Sequence, residues 1–396
     1  MLKTGGVRAG LAVTAVDSMA RGVLTPVLSL VLLGRGVQLA QLPLAMAVYS
    51  GVAVALEVPS GALADRIGRK GVFLAAQAVY VLAVGLLLFG TGWPVVSAAM
   101  IAYGVAHALA SGSLDALLVD TALLVQGEAG LPAITARQGA VKSAGLALGA
   151  LAGGLLHGAG GIGAALSASL LLTVLTLFGG ACLTREIGGY RLAQRPKLRD
   201  QMRTVRAACR ANRCLPVLLV ATAVSGVLMM LVETYWQPQF TGLLRNDALL
   251  WLLGVLGFGY FLASIFGSLA AERMTKRYHV HQIFLLGNLL AGLCVLALGA
   301  VTAPALFGVL YLLLYFLLGA ADTAQGVIIH RATPSAVRAT VLSAQGLTLQ
   351  LGALAASGAA GLVAGRFSVS VLWQAGALLF LVGFAGIAYI LRKATH

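Results

Sequence analysis

A few ionisable side chains stand inside long apolar runs of this chain: Asp17 and Arg21, His107, Asp115, Glu233 and Asp322. In hydrocarbon a central charge costs about 2.5–3.5 kcal/mol on insertion scales, so each needs a partner, a water-filled cavity or a function. Thr14, Asp17, Arg21 and Thr25 recur at helical spacing on one face. Asp17 and Arg21, at i and i+4, can neutralise each other within one helix. The pair reads either as a substrate or proton site or as a satisfied structural pair.

Tyr103, His107, Ser111 and Asp115 follow at intervals of four and predict a polar stripe along one helix, with Asp120 on another face near its end. An imidazole titrates near neutrality and suits proton handling, although a lone histidine is more commonly a hydrogen-bonded core residue. Further on, Met230, Glu233 and Gln237 share a face, with Trp236 beside them as either a site residue or an interfacial anchor. Tyr311, Tyr315, Asp322 and Gln325 line up in the same way. Acids among methionines and aromatic rings suit cationic or lipophilic solutes, because methionine repacks around varied shapes and ring faces attract cations. Asp17, Arg21, His107, Asp115, Met230, Glu233, Trp236, Gln237, Tyr311, Tyr315, Asp322 and Gln325 are the candidates for substrate and proton binding. Glu233 and Asp322 are costly to ionise among apolar neighbours, which makes them the stronger candidates for carrying a proton. Asp17, beside Arg21, suits docking of a cation.

The elements that position these residues follow from composition. Apolar residues make up 60% of the chain and charged ones only 10%, far below the roughly 25% of soluble domains. Twelve apolar segments reach the ~20 residues a bilayer crossing needs, at about 9–33, 39–63, 71–91, 94–119, 134–157, 163–184, 215–238, 248–271, 281–302, 304–328, 338–362 and 368–391. The expected fold class is an all-α membrane protein with both termini cytoplasmic. The net charge of +15 reports this topology and contact with anionic lipid, not nucleic acid. All Lys and Arg fall on the cytoplasmic side except Arg35, Arg245 and Arg366 outside and Arg21 within the membrane, the positive-inside bias. The first run carries Asp17 and Arg21 and is too long for a signal-peptide core, so it is read as a retained helix. The four cysteines and six scattered histidines form no metal-ligand or nucleophile cluster. No catalytic residue, cofactor or metal is expected, and the chain is not read as an enzyme. No loop is long enough for a signalling domain.

The chain divides at its longest polar stretch. Residues 1–184 form one expected bundle, 185–214 a basic cytoplasmic linker, and 215–396 a second bundle. Within the linker, Met202, Val205 and Cys209 recur among arginines from Leu198 to Cys214, predicting an amphipathic helix on the headgroups, with a disordered basic linker as the alternative. The two bundles are related by an offset of 207 residues: Asp65 and Glu272, Arg66 and Arg273, Arg69 and Lys276, Lys70 and Arg277, Gly112 and Gly319, Asp115 and Asp322. Such repeats build a central site between halves that rock against one another.

The segment from Glu57 through Pro59, Gly61, Asp65, Arg66, Gly68, Arg69 and Lys70 resembles the signature loop between helices two and three of the major facilitator superfamily. It agrees in residue type, spacing and place in the helix count. Thr275 stands in the second half where Gly68 stands in the first. The resemblance implies two six-helix bundles and a conformational latch formed by Gly61, Asp65, Arg66, Gly68, Arg69, Lys70 and Asp120. A purely topogenic basic loop is the alternative. Gly145, Gly149, Gly153 and Gly154 resemble the glycine-rich fifth-helix motif of the family's antiporters, with Ala150 in place of its proline. Close helix packing accounts for the same spacing. The resemblance to the drug-efflux branch implies export of small amphipathic or cationic molecules in exchange for protons. That implies a monomer in a bacterial inner membrane, with lipid, protons and a small-molecule substrate as partners. An exporter of siderophores or metallophores, or a nutrient importer, is the alternative.

Overall fold

The computed structural model describes residues 2–111, 113–126, 130–184, 198–334 and 337–395. Gly112 and linker residues 185–197 lie outside the described residues, and so does the side chain of Asp65. Among the described residues the chain is helical throughout, with no strand: α1 (Leu2–Leu24), α2 (Leu28–Gly34), α3 (Leu42–Ile67), α4 (Arg69–Phe89), α5 (Trp93–Ala110), α6 (Leu114–Gln126) and α7 (Leu131–Leu183). There follow α8 (Leu198–Ala211), α9 (Cys214–Leu243), α10 (Leu252–Met274), α11 (Val280–Leu298), α12 (Pro304–Ala332), α13 (Arg338–Val363) and α14 (Val369–Thr395).

Among the described residues ten helices are long and apolar enough to cross a membrane, and the bent pair α1–α2 makes eleven. The 53° bend of that pair falls at Pro26, which has no N–H to continue the helical ladder. At 53 residues α7 would extend about 80 Å, against a hydrocarbon core of about 30 Å. Gly161 interrupts it with φ 69° and ψ −169°, a conformation open essentially to glycine alone. Counted as two crossings, the arms of α7 bring the total to the expected twelve. Large apolar side chains stay exposed on these helices, among them Phe89 at 84% and Leu362 at 81%. In a helical protein of this composition such surface faces lipid.

Two compact units emerge, Met1–Gln38 with Val48–Arg195 and Asn246–Phe258, and Leu39–Ala47 with Pro196–Arg245 and Gly259–His396. Helices α3 and α10 therefore contribute one end to each unit. In the first unit α1 and α7 make the most extensive contact. A Cβ on Gly149 would overlap the Met19 carbonyl and Gly22, and one on Gly153 would overlap the Val23 carbonyl. Without side chains at these points the two backbones meet directly. Gly154 meets Gly254 at the start of α10 in the same way. Ser169 Oγ donates to the Ala20 carbonyl at 2.9 Å, tying the second arm of α7 to α1.

In the second unit α9 packs on α13 and α14, and α11 on α12 and α14. The backbones of α9 and α13 approach at Gly226 beside Leu349 and at Gly352 beside Ala223. Trp373 is fully buried and donates from its indole to the Leu231 carbonyl at 2.9 Å, joining α14 to α9. Helix α8 rests on α9 and α13. It half-buries Val205, Ala208 and Cys209 and exposes Arg203, Arg206 and Arg210.

Candidate functional site

In the first unit Arg21 Nε donates to both Asp17 oxygens, at 3.2 and 3.1 Å. From α4, Gln77 Nε2 donates to Asp17 Oδ1 at 2.8 Å. The Arg21 guanidinium lies 4.9 Å above the Tyr80 ring centroid. Tyr80 stacks on Tyr103 at 5.1 Å, and Tyr103 lies 5.1 Å from Tyr49. Tyr49 Oη and His107 Nδ1 share a hydrogen bond of 3.1 Å. One continuous cluster thus runs from the carboxylate of α1, through a stacked cation and three rings, to the imidazole of α5. Three of its buried polar atoms, Arg21 Nη2, Gln77 Oε1 and Tyr80 Oη, have no hydrogen-bond partner among the described residues. Buried polar groups are ordinarily satisfied, so this cluster retains capacity to bind.

The second unit surrounds Glu233 with rings. The Tyr315 hydroxyl donates to Glu233 Oε1. Tyr260 lies 4.5 Å from Tyr315, Tyr311 5.0 Å from Tyr315, and Trp236 4.7 Å from Tyr311. Trp236 is fully buried with its indole nitrogen unpartnered. Met230 and Gln237 are buried on the same helix. The aromatic faces around this carboxyl group offer an organic cation quadrupole attraction that does not depend on the carboxyl charge.

Other candidates are engaged differently. Gln325 Nε2 donates to the Leu218 carbonyl at 3.0 Å and to Thr222 Oγ1 at 2.7 Å, clamping α12 to α9. Asp322 is exposed and makes no hydrogen bond or ion pair among the described residues. The expected stripe from Tyr103 to Asp115 does not run along one helix. It breaks after Ala110, and α6 restarts at Leu114, so the four-residue register ends before Asp115. Ser111 donates instead to Glu57 Oε1 at 2.9 Å. Asp115 pairs with Lys142 and accepts from Gln138 Nε2 at 2.6 Å, both on α7.

The signature loop makes two separate contacts. Gly68 turns the chain with φ 90°, in a region that disfavours any Cβ. Arg69 forms an ion pair with Asp120 of α6. Lys70 Nζ donates to the carbonyls of Ala181 and Thr184, each at 2.7 Å, and so caps the C-terminus of α7. Gly61 is buried and Arg66 exposed.

Gln77, Tyr80, Tyr49 and Tyr260 belong to these clusters but were not singled out by spacing. Gln77 and Tyr80 carried a usable signal, being an amide and a phenol at i and i+3 in an otherwise apolar helix. Tyr49 and Tyr260 look like ordinary membrane aromatics until their neighbours are known.

Comparison with solved structures gives matches over nearly the whole chain. The nucleoside transporter NupG superposes with a TM-score of 0.80 at 13% identity, covering 98% of both chains. A bacterial homologue of the human lysosomal transporter Spinster gives 0.73 at 14% identity, over 99% of this chain and 97% of that one. The POT family transporter PepTSo gives 0.76 at 12% identity, over 98% of each. At these identities the likeness is one of fold. A search of curated protein sequences finds no match. The sequence model described as Major Facilitator Superfamily matches residues 10–255, more than half of the chain. On that match, with the helix count and the fold, this chain belongs to the major facilitator superfamily of membrane transporters.

Proposed function

We propose that this protein is a secondary active transporter that exports small amphipathic or cationic molecules by alternating access, in exchange for protons. The observation that carries the reading is Glu233, hydrogen-bonded by Tyr315 and set among Tyr260, Tyr311 and Trp236. An anionic nutrient would call for unpaired cations, yet Arg21 is paired with Asp17 and Lys142 with Asp115. Glu233 and Asp322 have no basic partner among the described residues, which favours them as carriers of the exchanged proton. The glycine face of α7 against α1 and the Arg69–Asp120 pair supply a tight packing element and a releasable latch. On this reading the protein works as a monomer in a bacterial inner membrane, with both termini cytoplasmic and two six-helix bundles joined by the 185–214 linker.

The test is flux in proteoliposomes of the purified protein, with an imposed pH gradient and a panel of lipophilic cations, neutral drugs and metallophores. Counterflow of a lipophilic cation against protons, abolished when the gradient is collapsed, is the expected result. Transport that ignores the gradient, or that accepts only anionic or metallophore substrates, would overturn the proposal.

A further inference from the structure

At the end of the second unit where α9 begins, a cavity of about 460 Å³ opens among α9, α11, α12 and the turn between α10 and α11. Asn212, Cys214, Tyr278, His279, His281 and Arg331 are among its lining residues, and none of the lining residues is acidic. Arg331 makes no ion pair among the described residues. His279 caps α11 without a side-chain hydrogen bond to it; its carbonyl accepts from the Gln282 and Ile283 amides, so the Val280 and His281 amides are the free donors beside the cavity. Arg331 in the last turn of α12 also offsets the partial negative charge of that helix end. This accounts for the arginine but not for two imidazoles lining the same cavity. Asn212 fixes one wall, with Nδ2 on the Ala332 carbonyl at 3.3 Å and Oδ1 accepting from Cys214 N–H at 2.9 Å.

We propose that this cavity binds a phosphate-bearing anion, with the guanidinium-bearing Arg331 and the imidazole-bearing His279 and His281 lining it beside a helix N-terminus. The apolar spans of α9, α11 and α12 each end at this cavity, which fits the depth of phospholipid phosphates, and α8 leads into it carrying exposed Arg203, Arg206 and Arg210. Basic pockets at the ends of membrane helices are suited to anionic headgroups, and a soluble phosphate would meet the same donors.

The experiment uses the full-length protein in two arms. In the first, detergent-purified protein is titrated with short-chain phosphatidylglycerol against phosphatidylcholine, with binding followed by native mass spectrometry and thermal stability. In the second, inorganic phosphate is titrated at constant ionic strength. Saturable binding is expected, weakened at least ten-fold by Arg331→Gln and by His281→Gln but not by Arg277→Gln, which lies outside the lining. If phosphatidylglycerol alone shows this dependence, the source is a lipid headgroup. If inorganic phosphate shows it, the source is soluble. His279→Gln serves as a second lining variant should either of the others fail to fold. Absence of binding in both arms, or equal binding by the lining and control variants, would overturn the proposal whatever the transported substrate proves to be.

Discussion

Removing one member of the Asp17–Arg21 pair strands the other. The side chains are only 15% and 18% exposed, and Nε lies about 3 Å from both carboxylate oxygens. At an effective dielectric of about 20, two unit charges so placed attract by roughly 5 kcal/mol. Desolvation offsets much of that gain, but breaking a buried pair by deleting one partner typically costs about 3–5 kcal/mol. Asp17→Asn should therefore destabilise the protein by about 3 kcal/mol or more, and Arg21→Gln should do the same. The double variant Asp17→Asn/Arg21→Gln leaves neutral amides at i and i+4 and should recover most of the loss, giving a coupling energy of about 5 kcal/mol. Gln77 can still donate to the carbonyl of an asparagine at position 17. The assay is reversible unfolding in mixed detergent micelles, paired with binding of a lipophilic cation. Cation binding should stay weak in Asp17→Asn and in the double variant alike, because the docking carboxylate is gone from both. A double variant no more stable than Asp17→Asn would refute the pairing argument. Cation binding that recovers along with stability would refute the docking role.

Three further outcomes follow from other contacts. Gly153→Ala and Gly139→Ala gain the same helix propensity, but only the first drives a Cβ into backbone, since nothing lies within 4 Å of Gly139. Unfolding should rank Gly153→Ala about 1–3 kcal/mol below Gly139→Ala, and equal stability would contradict the close α1–α7 crossing. Glu233→Gln or Asp322→Asn should retain substrate binding and lose substrate-induced proton release, measured with a pH indicator in weakly buffered detergent. If both variants release protons as the parent does, the carrier is another group. Arg69→Gln and Asp120→Asn break one ion pair from its two sides and should change turnover alike, with matching shifts in spin-label distance distributions. An unchanged turnover in either would count against the latch.

The fold was legible because the bilayer imposes its demands locally. Apolar length, terminal charge and the turn glycine of the signature loop are each read from a short window. What short windows missed were the interruptions. The break between Ala110 and Leu114 moves Asp115 off the register of His107 and toward Lys142, and nothing in the spacing of four announces it. The site was legible only as its charged members. Asp17 and Arg21 are neighbours on one turn and so declare themselves. Gln77, 60 residues from Asp17, and Tyr315, 82 residues from Glu233, are brought in by packing between helices.

The internal repeat separates residues that build the bundles from residues that do chemistry. Helices α7 and α13 start at Leu131 and Arg338, the same offset of 207 that relates the two signature loops. Gly145 on α7 corresponds to Gly352 on α13, and these glycines admit the backbone of α1 at Ala15 and of α9 at Ala223. The packing solution is therefore shared. The polar clusters are not. Positions equivalent to Asp17, Arg21 and Gln77 hold Val224, Leu228 and Phe284, so the same helix crossing forms without an ion pair. Conversely, Glu233, Tyr311 and Tyr315 correspond to Pro26, Gly104 and Ala108. Asp115 and Asp322 occupy equivalent positions, but Lys142 is matched by Leu349, leaving the first aspartate paired and the second without a cation. A charge that the duplicated architecture can do without in one copy is not there to hold that architecture together. This singles out Asp17, Arg21 and Glu233 as the residues on which transport chemistry should depend, and Asp322, an aspartate present in both copies, joins them because it lacks the lysine that pairs Asp115.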